Sequence, residues 1–505
     1  GMRGSHAGSF ETAHALVQGG RWSGDDINED YDLIVVGAGI SGLSAAYFYQ
    51  RDVEKNARIL LLDNHDDFGG HAKRNEFVID DRLLIGYGGT QSLEAPSGYP
   101  EVAKQLLREL GVDTERFYTA FDQELYDSLA LRRATFFDKA TFGANHLAVG
   151  DLESADVLQQ TPLSAEARSQ LAKLLADEQN YLSGLTLAEQ LELLGGLSYR
   201  EYLTEFAGIG DEVHEYVQSL PRNVWAIGSD AYPAIAAWSG GYPGFGDLDL
   251  GFEAYGRGED EEPYIFHFPD GNASIARLLV RRMIPSVAPG HSMEDIVTAR
   301  FNYEQLDQAD SAVRIRLNST VINAQHVNGA EEGDVRLTYV TGDRANTVTA
   351  GKVVMAGYHA MLPHICPELP SDHSAALSHL TRAPLVYTNV LIRNWKSFEK
   401  LGFYYAYCPG SFHHSVTLDF PVSLGDYQFP KSPDEPMLLH LTRVPIAPGL
   451  SAKEQFAAGR SELLTTPFET FERNIRDQLG AMLGPGGFDP ARDIAAITVN
   501  RWPHG

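Results

Sequence analysis

The sequence has little cysteine, few basic residues for its length and no long apolar run. Of 505 residues only two are cysteine. Cys366 and Cys408 lie far apart, in a spacing that suits neither a disulfide framework nor a zinc site. No CxxCH motif is present, which excludes covalently attached c-type haem. No run of 18 apolar residues occurs, so the sequence predicts no transmembrane helix.

Lys and Arg total 40 against 68 Asp and Glu, a net charge of −28. This balance makes nucleic acid an unsuitable partner, because the phosphate backbone would be repelled. Two interpretations stay open. The charge attracts a small cationic substrate, or it only keeps the protein in solution.

Glycine, in contrast, is abundant near the start of the chain, between two predicted elements. Residues 33–36 form a short β-branched apolar run that predicts a buried strand, and residues 43–50 predict a helix. Gly37, Gly39 and Gly42 lie between them in the spacing GxGxxG. A strand, this glycine pattern and a helix in that order are typical of a dinucleotide-binding turn.

Each position in this turn has a physical role. Gly37 permits the tight turn, Gly39 lets the backbone approach a pyrophosphate, and Gly42 lets the helix pack against the strand. The positive helix N-terminus would face the phosphates. A second apolar run at 58–62 ends at Asp63, about 20 residues beyond the last glycine, where a carboxylate would accept hydrogen bonds from ribose hydroxyls.

The stretch DNHDDFGGHAKRNEF places a glycine pair six residues beyond this acid. The arrangement resembles the second fingerprint of the flavin amine oxidase superfamily, which implies FAD as the cofactor. In that family an arginine near the flavin follows the glycine pair. Here His71 takes that position, and Lys73 and Arg74 are the candidates to neutralise the pyrophosphate.

The resemblance covers essentially the whole chain. It implies an α/β fold in which a Rossmann-type FAD-binding domain is interleaved with an α+β substrate domain. The expected segments are an N-terminal arm at 1–30, FAD-binding parts at 31–99 and 263–365, a mainly helical substrate or lid region at 100–262, a substrate domain at 366–496, and a return to the FAD domain at 497–505.

The resemblance also implies that the stretch GYGGTQSLE passes close to the flavin ring and that the strand around Val321 lies against the adenine. The motif and the resemblance together give the following candidate cofactor-binding residues: Gly37, Gly39, Ile40, Ser41, Gly42, Asp63, Asn64, Gly70, His71, Ala72, Lys73, Arg74, Gly88, Gly89, Thr90 and Val321.

The candidate catalytic residues are His71 and Trp502. Many members of the family hold a water near the flavin with a lysine on the first strand of the substrate sheet. That position is Thr388 or Asn389 here, so His71 is the nearest polar replacement. An equally open interpretation makes His71 a structural histidine.

Three stretches, RGSHAGSFETAHAL, FGGHAKRNEF and GYGGTQSLE, resemble the bacterial FAD-dependent spermidine dehydrogenases, a flavohaem group. This narrower resemblance implies a periplasmic location, a polyamine substrate, and electron transfer to an acceptor other than oxygen. It also implies b-type haem, with His6 or His14 as the candidate iron ligand. The resemblance also implies an export signal upstream of the RGSH stretch, and the open-ended closing stretch NRWPHG predicts further residues at the other end, so the native polypeptide is expected to be longer at both ends.

Oxidation of a polyamine requires a neutral amine beside the reacting carbon, aromatic faces, and an acid that holds a second ammonium. The aromatic and acidic loop at 240–262 is a candidate lid. The candidate substrate-binding residues are Tyr242, Phe245, Asp247, Asp249, Tyr255 and Asp419, with Glu253 and Asp426 as further acids.

Two other readings of the sequence stay open. One is a desaturase or protoporphyrinogen-oxidase-type flavoprotein that acts on an apolar substrate; the other is a flavin-bearing protein without enzymatic activity. The sequence leaves undetermined the preferred polyamine, the electron acceptor, the oligomeric state and whether FAD is covalently attached.

Overall fold

The computed structural model of the protein describes residues 1–254, 262–327 and 333–505. Its strands are β1 (Met2–Gly4), β2 (Asp25–Val36), β3 (Ile59–Leu62), β4 (Arg74–Ile79), β5 (Arg82–Tyr87), β6 (Arg132–Phe137), β7 (His146–Val149), β8 (Val313–Arg316), β9 (Thr320–His326), β10 (Val335–Thr341), β11 (Arg344–Met355), β12 (Leu385–Ile392), β13 (Phe403–Tyr407), β14 (Ser415–Leu418), β15 (Met437–Arg443) and β16 (Ile494–Trp502).

The α-helices of the described residues are α1 (Glu11–Val17), α2 (Ile40–Asp52), α3 (Glu101–Glu109), α4 (Phe117–Ala120), α5 (Leu125–Ser128), α6 (Lys139–Phe142), α7 (Ala155–Gln159), α8 (Ala165–Ala176), α9 (Leu187–Gly196), α10 (Tyr199–Glu205), α11 (Asp211–Val217), α12 (Arg222–Trp225), α13 (Ala234–Ser239), α14 (Ala273–Met283), α15 (Leu362–Ile365), α16 (Ser371–His379), α17 (Lys396–Leu401), α18 (Ala452–Thr465), α19 (Phe468–Leu483) and α20 (Pro490–Asp493).

A six-stranded sheet in the order β8-β3-β2-β11-β10-β9 carries the predicted glycine turn. Strands β8, β3, β2 and β11 run parallel, and β10 is antiparallel to both of its neighbours. All four residues of β3 are buried, as expected for a parallel strand covered on both faces. The predicted first strand is longer than residues 33–36, because β2 also pairs with β11 from Asp25 onward.

One core cluster packs α2 and α14 against this sheet. Leu33, Val35 and Leu43 belong to it, together with Ile275 and Leu279 of α14. Helix α14 is buried almost along its whole length. The segment that the family resemblance assigns to the second part of the FAD-binding domain therefore lies against the first helix of that domain.

A second, eight-stranded sheet has the order β1-β16-β12-β15-β14-β13-β6-β7. Helix α19 covers it and buries Phe471, Ile475 and Leu479 in a second core cluster. Here the structure differs from the expected segments. Residues 497–502 do not join the six-stranded sheet but pair with β12 as part of β16, whose other edge is paired with β1.

The region 100–262 also contributes two strands to the second sheet, although most of its described part is helical. Strand β6 pairs with β13, and β7 with β6. Helices α7–α13 enclose a third core cluster with Leu171, Tyr199 and Tyr202. We call this part the helical lobe. In the described residues, no helix is both long and apolar enough to cross a membrane.

Candidate functional site

The glycine turn forms a close-packed cradle at the carboxyl end of β2. Gly37 has a φ of +107°, which favours glycine. A Cβ on Gly42 would lie 1.9 Å from the carbonyl oxygen of Gly37, so only glycine fits where α2 meets the strand. Gly39 precedes α2 and offers no side-chain cap. The first-turn N–H groups of Ile40 and Ser41 therefore have no intrahelical partner and suit an anion.

Asp63 follows β3 beside this cradle and is buried. Its Oδ2 accepts a hydrogen bond from the N–H of Ala38 at 2.7 Å, and its Oδ1 accepts one from the N–H of His65 at 2.8 Å. The N–H of Ser319 donates to the Asp63 carbonyl at 2.7 Å, two residues before Val321. The acid and the start of β9 are thus brought together, as the adenine-side assignment requires.

The glycine pair closes the other side of the cradle. Gly39 and Gly69 form a parallel β-bridge, and a Cβ on Gly70 would lie 3.2 Å from the Cα of Gly39. Asn64, next to the acid, donates from Nδ2 to the Ser9 carbonyl at 2.5 Å. The predicted cofactor residues at 37–42, 63–64 and 70 therefore form one continuous surface.

Lys73 and Arg74, the candidates for pyrophosphate neutralisation, already have acidic partners. The Lys73 Nζ lies 3.2 Å from Asp66 Oδ1 and 3.3 Å from Asp67 Oδ2. Arg74 pairs at 2.8 Å with Asp270, which is wholly buried, and at 2.6 Å with Glu76. These contacts give both cations a structural role, since an unpaired buried charge is costly.

The loop at 88–90 packs directly on the segment that follows the glycine pair. The N–H of Gly88 donates to the Lys73 carbonyl at 2.7 Å, and that of Thr90 to the His71 carbonyl at 2.9 Å. Trp502 Nε1 donates to the Gly88 carbonyl at 2.7 Å. Both candidate catalytic residues thus border the loop that was predicted to run along the flavin ring. Ala72, between His71 and Lys73, is buried.

His71 and Trp502 contact each other edge to face, with ring centroids 4.9 Å apart. His71 Nε2 lies 3.2 Å from the hydroxyl of Tyr358. Burial, and to a smaller extent the neighbouring His65 and Arg382, lower the pKa of His71 to about 4. His71 is therefore a neutral imidazole at pH 7 and adds no positive charge to the site.

Asp419 lies in a cluster of aromatic side chains around Tyr87, at the start of the 88–90 loop. Tyr87, the residue before Gly88, stacks on His440 with ring centroids 4.1 Å apart. His440 Nε2 lies 2.6 Å from Asp419 Oδ1, and their side chains are only 4% and 7% exposed. Phe420 and Tyr387 also contact the Tyr87 ring. A buried carboxylate–imidazole pair thus lies among aromatic faces.

Asp419 has a free acceptor in this cluster. Its Oδ1 accepts from His440 and from the N–H of Phe420 at 2.8 Å. Among the described residues its Oδ2 has no hydrogen-bond partner. The Oδ2 atom therefore keeps acceptor capacity that neither contact uses.

The position where many members of the family carry a lysine also lies here. Asn389 on β12 is directly opposite His440 on β15. A Cβ on Gly86 would lie 3.5 Å from the Asn389 side chain, so β5 crosses directly over it. Asn389 donates to the Tyr87 carbonyl at 2.8 Å, but its buried Oδ1 has no partner among the described residues.

The other predicted substrate residues do not join this cluster. Phe245 is 0% exposed and stacks on Tyr202 at 4.7 Å in the core of the helical lobe, where Tyr242 also packs. Phe245 cannot contact a substrate without leaving that core. Asp247, Asp249, Glu253 and Asp426 are exposed, and Tyr255 lies outside the described residues.

The two candidate haem ligands have separate surroundings. His6 Nε2 lies 3.3 Å from Asp66 Oδ1. His14 is exposed on α1, where it packs on Phe10. No group of three or more metal-ligating side chains that could hold a metal ion occurs in the described part of the chain.

A family model described as an NAD(P)-binding Rossmann-like domain matches residues 35–110. No curated protein matches the chain by sequence. Among solved structures, a double mutant of putrescine oxidase from a redesign of cofactor binding matches with a TM-score of 0.52 at 13% identity, covering 93% of this chain and 84% of that chain. The chain has the putrescine oxidase fold.

Two further solved structures give similar values. A triple mutant of putrescine oxidase matches with a TM-score of 0.51 at 15% identity, covering 93% of this chain and 84% of that one. Cyclohexylamine oxidase from Brevibacterium oxydans matches with a TM-score of 0.49 at 16% identity, covering 94% and 85%. The family model and the first putrescine oxidase structure confirm the predicted α/β, two-domain fold with a Rossmann-type domain.

Tyr87, Tyr387 and His440 were not among the candidate site residues, although Tyr87 lies in the stretch GYGGTQSLE. One indication was available for His440, the only polar residue in the apolar run MLLHL of β15. A single histidine inside a buried strand needs a partner, which makes it a candidate for a site. Its partner Asp419 was a candidate, but for a different reason.

Proposed function

We propose that this chain is an FAD-dependent amine oxidoreductase whose substrate is a polyamine such as spermidine. The observation that carries the proposal is the buried Asp419–His440 pair beside Tyr87, at the entrance to the Gly88–Gly89 loop. It places a carboxylate for a cationic substrate next to the loop assigned to the flavin. The fold and the cofactor cradle support the same conclusion.

The cradle fits FAD in its shape and in its donors. Gly42 leaves no room for a side chain, so α2 starts close to the strand, and the uncapped first turn offers N–H groups to a pyrophosphate. Asp63 has lone pairs left beyond its two backbone contacts, which suits ribose hydroxyls. When bound, FAD supplies the hydride acceptor for amine oxidation.

The residues of the aromatic cluster have separate roles in this proposal. The Asp419 carboxylate holds one ammonium of the substrate, and His440 fixes the orientation of that carboxylate. The faces of Tyr87 and Phe420 flank the methylene chain and stabilise the cationic groups by about 0.5–2 kcal/mol each. The reacting nitrogen must be neutral, so the rate rises with pH as that nitrogen loses its proton.

The desaturase or protoporphyrinogen-oxidase alternative fits this site less well. A buried carboxylate with a free oxygen would face an apolar substrate without a partner, and burying an unpaired charge is costly. The neutral His71 and the acidic chain both favour a cation over an anion or a hydrocarbon.

Anaerobic addition of spermidine to the FAD-loaded protein tests the proposal. We expect bleaching of the flavin absorbance, faster at higher pH. Flavin that spermidine, spermine and putrescine all fail to reduce would refute the proposed activity. Bleaching by a carotenoid precursor or by protoporphyrinogen, without bleaching by any amine, would instead establish the alternative.

We also propose, on the narrower resemblance alone, a periplasmic location, a bound b-type haem, and an electron acceptor other than oxygen. The haem is tested by the absorption spectrum of protein from its natural source. A Soret band that is lost when His6 and His14 are both replaced supports these ligands. An unchanged band refutes the assignment, and a spectrum without a Soret band refutes the haem itself.

A further inference from the structure

A large cleft lies beside the cofactor cradle but does not include it. It has a volume of about 800 Å³, and Phe68, Arg74, Arg277 and Tyr303 are among its lining residues. Neither the glycines at 37–42 nor Asp63 line it. The volume is within the range of small-molecule sites, about 300–1,000 Å³.

Three of the seven charged residues that line this cleft are already paired. Arg74 pairs with both Glu76 and Asp270. Asp67 lies 3.3 Å from Lys73 and accepts a hydrogen bond from the hydroxyl of Tyr303 at 2.7 Å. Arg74, Glu76 and Asp67 are therefore already held by partners within the protein.

The remaining arginines have no acidic partner. Among the described residues, the side chains of Arg3, Arg277 and Arg300 form no ion pair, and those of Arg3 and Arg300 form no hydrogen bond. One unpaired carboxylate, that of Asp81, lines the same cleft. Four arginines and three acids line the cleft, so its lining is slightly basic in a chain of net charge −28.

Arg277 is the decisive member of this set because it is only 6% exposed. Its guanidinium donates one hydrogen bond, from Nη2 to the Ala299 carbonyl. The buried Nε has no partner among the described residues. Burial and the neighbouring Arg74 lower the pKa of Arg277 by more than the nearby Asp270 and Glu76 raise it.

Aromatic rings form one wall of the cleft. The Arg277 guanidinium lies 4.1 Å from the ring centroid of Phe301. Phe68 contacts Phe301 at 5.9 Å and stacks on Tyr303 at 5.8 Å. Tyr303 is 43% exposed, so its ring is accessible to a ligand.

We propose that this arginine cleft, defined by Arg3, Arg277, Arg300 and the rings of Phe301 and Tyr303, binds a small aromatic molecule that carries two negative charges. The guanidinium groups pair with carboxylate, sulfonate or phosphate oxygens, and the ring of the ligand lies against the aromatic wall. Two candidate cofactor residues, Ala72 and Arg74, also line the cleft, but the glycine turn and Asp63 do not, so we expect it to be filled independently of FAD.

Calorimetric titration of the FAD-saturated protein with naphthalene-2,6-disulfonate tests the proposal, with uncharged naphthalene-2,6-diol as the matched ligand. We expect one disulfonate per chain, and an affinity at least tenfold above that of the diol. Arg277→Met should weaken disulfonate binding by about tenfold, because a hydrogen bond to a charged group is lost. Arg300→Met should weaken it severalfold.

Arg133→Met is the matched control, because Arg133 also lies over an aromatic ring, that of Tyr405 at 4.3 Å, outside the cleft. It should leave the affinity unchanged. If Arg277→Met fails to fold, the exposed Arg300→Met and Arg3→Met carry the test. Equal binding of the diol, unchanged affinity in the arginine variants, or displacement of the disulfonate by excess FAD would each overturn the proposal.

Discussion

Replacing Asp419 by Asn should remove the negative charge of the proposed substrate site while leaving its shape nearly unchanged. Asn has nearly the same volume, and its amide oxygen can still accept from His440. What is lost is the negative charge that meets the substrate ammonium. The 2.6 Å contact between Asp419 and His440 shows that this carboxylate is held in a single orientation.

The expected loss of kcat/KM follows from the burial of the Asp419–His440 pair. A hydrogen bond to a charged group contributes about 1.5–3 kcal/mol. Because Asp419 is 5% exposed, solvent screens this contact little, and the whole of that range applies. A loss of 1.5–3 kcal/mol is a fall of about 10–100-fold in kcat/KM.

The assay is anaerobic stopped-flow reduction of the flavin by spermidine, with FAD content and melting temperature measured on the same samples. Asp426→Asn is the matched control, because Asp426 is an exposed acid seven residues further along the chain. We expect it to behave like the unmodified protein. Equal rates for Asp419→Asn and the unmodified protein, or an equal loss in both variants, would refute the assigned role.

Three other variants test the cofactor cradle and the folded state. Asp63→Ala should weaken FAD binding by about 1–3 kcal/mol; full FAD occupancy after extensive dialysis would contradict this. Gly42→Ala should destabilise the fold by about 1–3 kcal/mol in denaturant unfolding, because the new Cβ would lie 1.9 Å from the Gly37 carbonyl oxygen. Gly195→Ala is the control and should leave the stability unchanged, because its Cβ would meet no atom within 4 Å. His413 is wholly buried, and its pKa falls from 6.5 to about 3. Below pH 6.5 His413 is therefore protonated in the unfolded chain but not in the folded chain. The free energy of unfolding should fall by about 1.4 kcal/mol per pH unit as the pH drops below 6.5. Unfolding in urea at pH 7 and pH 5 measures this loss, and His413→Asn should reduce the slope; an unchanged slope would count against the assignment.

The cofactor cradle could be predicted from the sequence because its parts are local. Gly37, Gly39 and Gly42 lie within six residues, and Asp63 ends the next strand, so spacing alone brings them together. The hydrogen bond from the Ser319 N–H to the Asp63 carbonyl brings the start of β9 beside this acid, and the adenine contact of Val321 stays a prediction. Periodicity and turn chemistry are sufficient when a site is built from one strand–turn–helix unit.

The proposed substrate site was predicted only in part, through Asp419. Tyr87, Asn389 and His440 come from three strands and Asp419 follows a fourth, β14, and the pairing of β12 with β15 and the crossing of β5 bring them into contact. The loop at 240–262 was a candidate lid because it is rich in aromatic residues. Phe245 shows that aromatic content alone does not identify a substrate-binding loop, because an aromatic side chain in a loop can equally well pack into the adjacent core.

The two proposed sites should respond differently to salt, and this difference tests both electrostatic assignments. A polycation is attracted over a distance by the whole chain, with its net charge of −28, and salt weakens this attraction, whereas the contact with the buried Asp419 is screened much less. A dianion is attracted by the three free arginines but repelled by the rest of the chain, so salt weakens two opposing effects. We therefore expect kcat/KM for spermidine to fall steeply between low and physiological ionic strength, while disulfonate binding to the arginine cleft changes much less. A polyamine rate independent of ionic strength would refute the role of the net charge. A disulfonate affinity that falls as steeply as the polyamine rate would mean that the field of the whole chain is not felt at the cleft.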